Sequence, residues 1–131
     1  MDSKKLLVRL VFVIFFIFLL NYLALEFYWY SSIWYLDMPM HFLGGFWLGL
    51  ILILFFQIKE FSFKSILKII IGVLLFGFLW EIFEIVINKT TTENLFNILD
   101  TISDIFFDFA GGLFAILYFS RQIMSIKRDT V

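Results

Sequence analysis

The chain has 131 residues, of which 63 % are hydrophobic and 22 % aromatic, with a formal charge of −1 and a mean hydropathy of +1.00. A soluble domain of this size cannot hide that much apolar surface, because small domains have a high surface-to-volume ratio; the natural solvent is lipid. The net charge says nothing about a nucleic-acid partner, but no basic patch interleaved with aromatics appears, and no such partner is expected. The absence of cysteine excludes disulfides, thiolate nucleophiles and thiolate metal sites.

Four apolar stretches are each long enough for the roughly 20 helical residues that a bilayer core requires. In chain order they fall near Leu6–Leu25, Pro39–Ile58, Ile66–Asn88 and Thr101–Ser120. None alternates polar and apolar residues as a β-barrel strand would. The expected fold is therefore all-α: a polytopic membrane protein with four transmembrane helices, residues 1–131 forming one domain. The first run follows Lys4, Lys5 and Arg9 but is long and lacks a small-x-small cleavage site, so it reads as a retained helix. With the N-terminus inside, nine of the ten Lys and Arg residues lie on the cytoplasmic side and only Lys89 lies outside, which predicts both termini cytoplasmic in a multi-pass inner-membrane protein. Between the first two runs, Phe27–Tyr35 (FYWYSSIWY) reads as an aromatic belt at the outer headgroup layer, with room for a short interfacial helix.

Six acids and the single histidine interrupt or border these runs: Asp37 and His41, Glu81 and Glu84, Asp100, Asp104 and Asp108. On the orientation above, all seven fall in the outer half, with Glu81 and Asp108 about 10–12 Å below the outer ends of their helices at 1.5 Å per residue. Helical spacing groups them on three stripes: Asp37, His41, Gly45, Gly49; Gly77, Glu81, Glu84, Asn88; and Asp100, Asp104, Asp108, Gly112. Glycine lets membrane helices approach closely, and Gly45-x-x-x-Gly49 is one such pattern. The simplest assembly turns the three stripes to a common interior, with the first helix, which has no internal carboxylate and only Asn21 near its outer end, as a wall.

Structural roles account for part of this set. Asp37 before Met38-Pro39 fits a helix N-cap with proline in the first turn. Asp100 fits another cap, and Thr101-Ile102-Ser103-Asp104 fits a capping box. His41 fits an interhelical hydrogen bond. The Asn88-Lys89-Thr90 sequon reads as chance. Capping does not explain Glu81, Glu84 or Asp108, since an acid at the bilayer centre costs about 2.5–3.5 kcal/mol on insertion scales and no base lies at their depth. Either several of the acids share protons, or a cation sits among them.

One imidazole among many carboxylates suits hard cations, Mg²⁺, Mn²⁺ or Ca²⁺, better than structural zinc. The expected metal set is Glu81, Glu84, Asp104, Asp108 and His41, with Asp37 and Asp100 as further polar members. Candidates for catalysis, should there be any, are His41, Glu81, Glu84 and Asp108. There is no pair of Glu-x-x-His motifs for a di-iron site, no acyl-transfer triad, phosphate loop or dinucleotide fingerprint, and no haem, flavin or nucleotide is expected.

The order Asp37-x-x-x-His41 with Gly44-Gly45, Trp80-Glu81-x-x-Glu84, and Asp100-x-x-x-Asp104-x-x-x-Asp108 with Gly111-Gly112 resembles the VanZ-like and YjdF-like small bacterial integral membrane proteins, the YjdF-like more closely. The resemblance spans Asp37 to Leu117 and carries over to Asp37, His41, Glu81, Glu84, Asp104 and Asp108. It implies a multi-helix inner-membrane protein. Through VanZ, which is associated with resistance to a lipoglycopeptide antibiotic, it implies a role at the outer surface or with envelope lipids. Three functions compete: a divalent-metal or lipid-headgroup site acting on envelope lipid as a metal-dependent hydrolase or transferase; a proton or cation pathway; and a non-catalytic binder of a cation or headgroup. Membrane lipids are the expected partners, and the sequence leaves the oligomeric state open.

Overall fold

A computed structural model describes residues 3–91 and 98–129, with side chains for all of these except 88–91 and 123–129. The sequon, Lys89 and the Asn88 end of the second stripe lie outside the described side chains. Five helices follow one another: α1 (Ser3–Glu26), α2 (Trp29–Ser32), α3 (Asp37–Phe55), α4 (Phe63–Thr91) and α5 (Ile98–Asp129). Among the described residues there is no strand. α1, α3, α4 and α5 are each long and apolar enough to cross a bilayer, as the sequence predicts. Their ends differ from the predicted spans by a few residues, since hydropathy marks where apolar residues stop and not where backbone hydrogen bonding stops.

The end of α3 shows the difference. The apolar run continues to Ile58, but the helix closes at Phe55 because Gln57 takes a left-handed backbone, φ 51°. The Ile58 amide then donates to Ile53 O at 3.1 Å and the Gln57 amide to Leu54 O at 3.1 Å. These two bonds form a Schellman closure, which satisfies carbonyls that would otherwise face hydrocarbon. Tyr28, φ 57°, turns the chain out of α1 in a similar way. The predicted interfacial segment is the four-residue α2, tied back to α1 by the Tyr30 hydroxyl donating to Asn21 Oδ1 at 2.7 Å.

Interhelical contacts fix the topology. Along α3 and α5 they rise together: Gly45 lies against Asp108, and Gly49 against Gly112 and Ala115, so these two helices run the same way. α4 runs opposite to both, with Gly72 against Leu52, Val73 against Gly112 and Gly77 against Asp108. α1 packs on the other side of α3, where the Trp47 indole donates to Leu10 O at 3.0 Å, and Arg9 hydrogen-bonds the Tyr118 hydroxyl late in α5. Ser3 and Asp129 thus lie at the same end of an up-down-up-down bundle. Trp47→Phe removes the indole donor together with part of the ring. Replacing one neutral hydrogen bond is expected to lower the stability of the bundle by about 1 kcal/mol, read by thermal unfolding in detergent; an unchanged midpoint would remove that bond from the account of how α1 docks.

The interior has two zones. Leu50, Ile53, Ile69, Val73 and Ala115 are fully buried and, with Leu6, Leu10 and Phe119, form an apolar plug in the half nearest the termini. The other half holds the buried polar residues His41, Glu81, Asp104 and Asp108. Large apolar side chains such as Phe12, Phe15, Phe76 and Phe83 point outward, half or more exposed. That is the inverse of a soluble protein, and it follows when hydrocarbon is the solvent.

Candidate metal centre

α3 and α5 share the closest seam in the molecule, and it sets the site. A Cβ on Gly45 would collide with the Asp108 backbone carbonyl, and one on Gly111 would collide with Phe42 O and lie 2.6 Å from Phe46 N. With backbones this close, the side chains one turn nearer the loops face each other directly. His41 Nδ1 lies 3.1 Å from Asp108 Oδ1. Where the Asp108 carboxyl is ionised it can only accept, and Nδ1 is then the donor of this contact. The other oxygen of Asp108 rests against α4 at Gly77, where a Cβ would lie 2.7 Å from Oδ2. Asp108 is therefore held by α3 on one side and α4 on the other.

The remaining nitrogen, Nε2, is more loosely surrounded. Asp104 Oδ2 stands at 3.5 Å and Asp37 Oδ2 at 3.6 Å, both long for a good hydrogen bond. Glu81 and Glu84 approach from α4. One ligating atom from each of His41, Glu81, Glu84 and Asp104 can be chosen so that all four lie within 4.8 Å of one another. A second set, Asp37, Asp100 and Asp104, meets the same limit and shares Asp104. Glu84 is half-buried and takes the Trp80 indole N–H on Oε1 at 2.9 Å. Glu81 is only 4 % exposed, and its Oε1 is buried with no hydrogen-bond partner among the described residues. At 4.8 Å and an effective dielectric of about 20, each pair of ionised carboxylates repels by about 3.5 kcal/mol. Among the described residues, the ion pairs of this cluster run only to His41.

All seven residues picked out from sequence gather at one end of the bundle, but their roles divide. His41, Glu81, Glu84 and Asp104 converge. Asp108 stands behind His41 on its other nitrogen, outside the convergent four. Asp37 is half-buried beside Nε2, and Asp100 is exposed at the rim. The capping roles do not hold. Leu36 is the N-cap of α3 and Asp37 is already helical. α5 is already helical at Ile98, so Thr101 cannot open a capping box, and Asp104 turns inward instead. The interhelical hydrogen bond considered for His41 does exist, to Asp108.

Two aromatic residues outside the expected site set, Trp80 of the quoted motif among them, stand beside these carboxylates. Tyr30, on α2, sits above them. Burial first, then the Asp37 and Glu84 carboxylates, pushes its hydroxyl above the ordinary 10.0, so it stays protonated and keeps its bond to Asn21 Oδ1. Trp80 positions Glu84 from one turn away. An indole four residues before a carboxylate on a helix was the available sign.

The family described as "Predicted membrane protein (DUF2238)" matches residues 4–125. The chain belongs to that family. The matched stretch contains every residue of the acidic cluster and nearly all of the four long apolar helices. No curated protein and no solved structure matches the chain.

Proposed function

We propose that this DUF2238 protein binds a divalent cation, Mg²⁺, Mn²⁺ or Ca²⁺, between His41, Glu81, Glu84 and Asp104, at the outer face of a bacterial inner membrane, and presents it to the phosphate of a lipid headgroup. The observation that carries the reading is Glu81. A carboxylate oxygen buried in a membrane protein without a hydrogen bond is costly, and Glu81 is one of the four residues that offer converging ligand atoms. A cation supplies the missing partner and offsets the repulsion among the acids. The spacing supports it, because opposite ligands around Ca²⁺, each at about 2.3–2.6 Å, stand about 4.6–5.2 Å apart. The His41–Asp108 pair supports it too: metal-bound histidines commonly donate their second N–H to a carboxylate.

The outward orientation rests on nine of ten basic residues falling at the opposite end of the predicted topology, with both termini cytoplasmic. Within the family, the order of the Asp/His, Glu/Glu and Asp/Asp motifs favours a VanZ-like or YjdF-like member, and hence a role with envelope lipids. A bound ion is favoured over a conducted one because the half below the site is filled by Leu50, Ile53, Ile69 and Val73. A catalytic version of the same reading would use the cation to clamp a phosphoryl oxygen.

The test is Mn²⁺ titration of the purified protein followed by electron paramagnetic resonance. Saturable binding is expected, abolished by Glu81→Gln and competed by Ca²⁺ or Mg²⁺. No saturable uptake at millimolar Mn²⁺ by folded protein would sink the metal reading.

A further inference from the structure

From mid-bundle toward the end that holds the termini, a crevice of about 430 Å³ runs between α1 and α3 with α5 at its edge, lined by Arg9, Phe12, Val13, Phe46, Leu50 and Tyr118. Four of the six are apolar, and the only charge is the Arg9 guanidinium. Arg9 lies six residues into α1, about 9 Å along the axis from Ser3, inside the first apolar span. It is held there by two contacts with Tyr118: a hydrogen bond to the hydroxyl, and the guanidinium carbon 5.6 Å from the ring centroid. Tyr118 is in turn fixed edge-on to Phe46, ring centroids 5.8 Å apart. The structure thus orients a cation at one end of an apolar slot that faces hydrocarbon.

A slot of this kind in a membrane is filled by an acyl chain, and a planar cation at its end selects what the chain is attached to. Guanidinium pairs with phosphate through two parallel N–H bonds. The surroundings have the same sign: this end of the bundle carries seven Lys and Arg residues with described side chains, against one described acid, Glu60. Basic residues near the headgroup layer attract anionic lipid by about 1 kcal/mol each. We infer that the α1–α3 crevice is a binding site for an anionic phospholipid, one acyl chain lying along Phe12, Val13 and Phe46 with the phosphate at Arg9. This site is separate from the acidic centre and lies in the opposite leaflet.

Native mass spectrometry of the full chain, released from detergent with defined lipids, tests this. Phosphatidylglycerol should be retained at one equivalent, at least tenfold more tightly than phosphatidylcholine with the same acyl chains. Arg9→Gln should bring phosphatidylglycerol down to the phosphatidylcholine level, the roughly tenfold loss expected for one charge-assisted pair. Val13→Trp, which fills the slot and leaves Arg9 in place, should weaken both lipids and keeps the proposal testable if the Arg9 variant does not fold. Millimolar inorganic phosphate should not displace the lipid. Equal retention of the two lipids by the parent protein overturns the proposal. So does full phosphatidylglycerol binding by either variant, or displacement by phosphate alone.

Discussion

Gly45→Ala and Gly111→Ala are expected to destabilise the bundle by about 3 kcal/mol or more, while Gly44→Ala is neutral or mildly stabilising. The new methyl at Gly45 or Gly111 meets backbone of the facing helix, which cannot rotate away as a side chain could, so α3 and α5 must separate. Overpacking of a core costs about 1–3 kcal/mol even where side chains can adjust. The gain in helix propensity from glycine to alanine, about 1 kcal/mol, does not offset it. At Gly44 nothing lies within 4 Å of the added carbon, so only that gain remains. Thermal or denaturant unfolding in detergent separates the cases. Because the same seam brings His41 to Asp108, the two destabilised variants should also lose Mn²⁺ affinity. If Gly45→Ala proved as stable as Gly44→Ala, the close α3–α5 seam would be wrong, and with it the geometry of the site.

Asp108→Asn is expected to weaken Mn²⁺ binding by about 10–100-fold, the usual effect of removing a carboxylate that orients a ligating histidine. The amide keeps the shape of the side chain but loses the charge that holds the proton on Nδ1 and directs Nε2 at the ion. His41→Ala should cost at least as much, because it removes the ligand itself. Asp100→Asn, at the exposed rim, should cost little. Affinity in the parent protein should fall as pH falls, since protons compete with the metal for carboxylates and imidazole. Titrations of the variants at matched pH decide the assignment. Parental affinity in Asp108→Asn alongside loss in His41→Ala would remove the orienting role and leave the ligand role. Parental affinity in both would place the ion elsewhere.

Much of this architecture is written in the order of residues. Four apolar runs of membrane-crossing length determine four helices, because in hydrocarbon the backbone must satisfy its own hydrogen bonds. A period of 3.6 puts Asp37 with His41, Glu81 with Glu84, and Asp104 with Asp108 on single faces. The absence of a base at their depth marks those faces as sites of unusual cost. Spacing says which residues share a face, but not how each helix is rotated against its neighbours. Only packing decided that Asp108 stands behind His41 while Asp104 stands before it. The two acids are one turn apart on the same stripe, and the closeness of α3 to α5 sends them to opposite nitrogens of one ring. Spacing puts Gly45 on the polar stripe and Gly44 about 100° away, but only packing showed that Gly45 meets the Asp108 backbone while Gly44 meets nothing. Thr101 likewise reads as a cap until the helix is seen to be under way by Ile98. The sequence determined the helices and their polar faces through local periodicity. The tertiary structure decided which polar atoms meet, because that depends on a glycine seam between residues more than sixty positions apart.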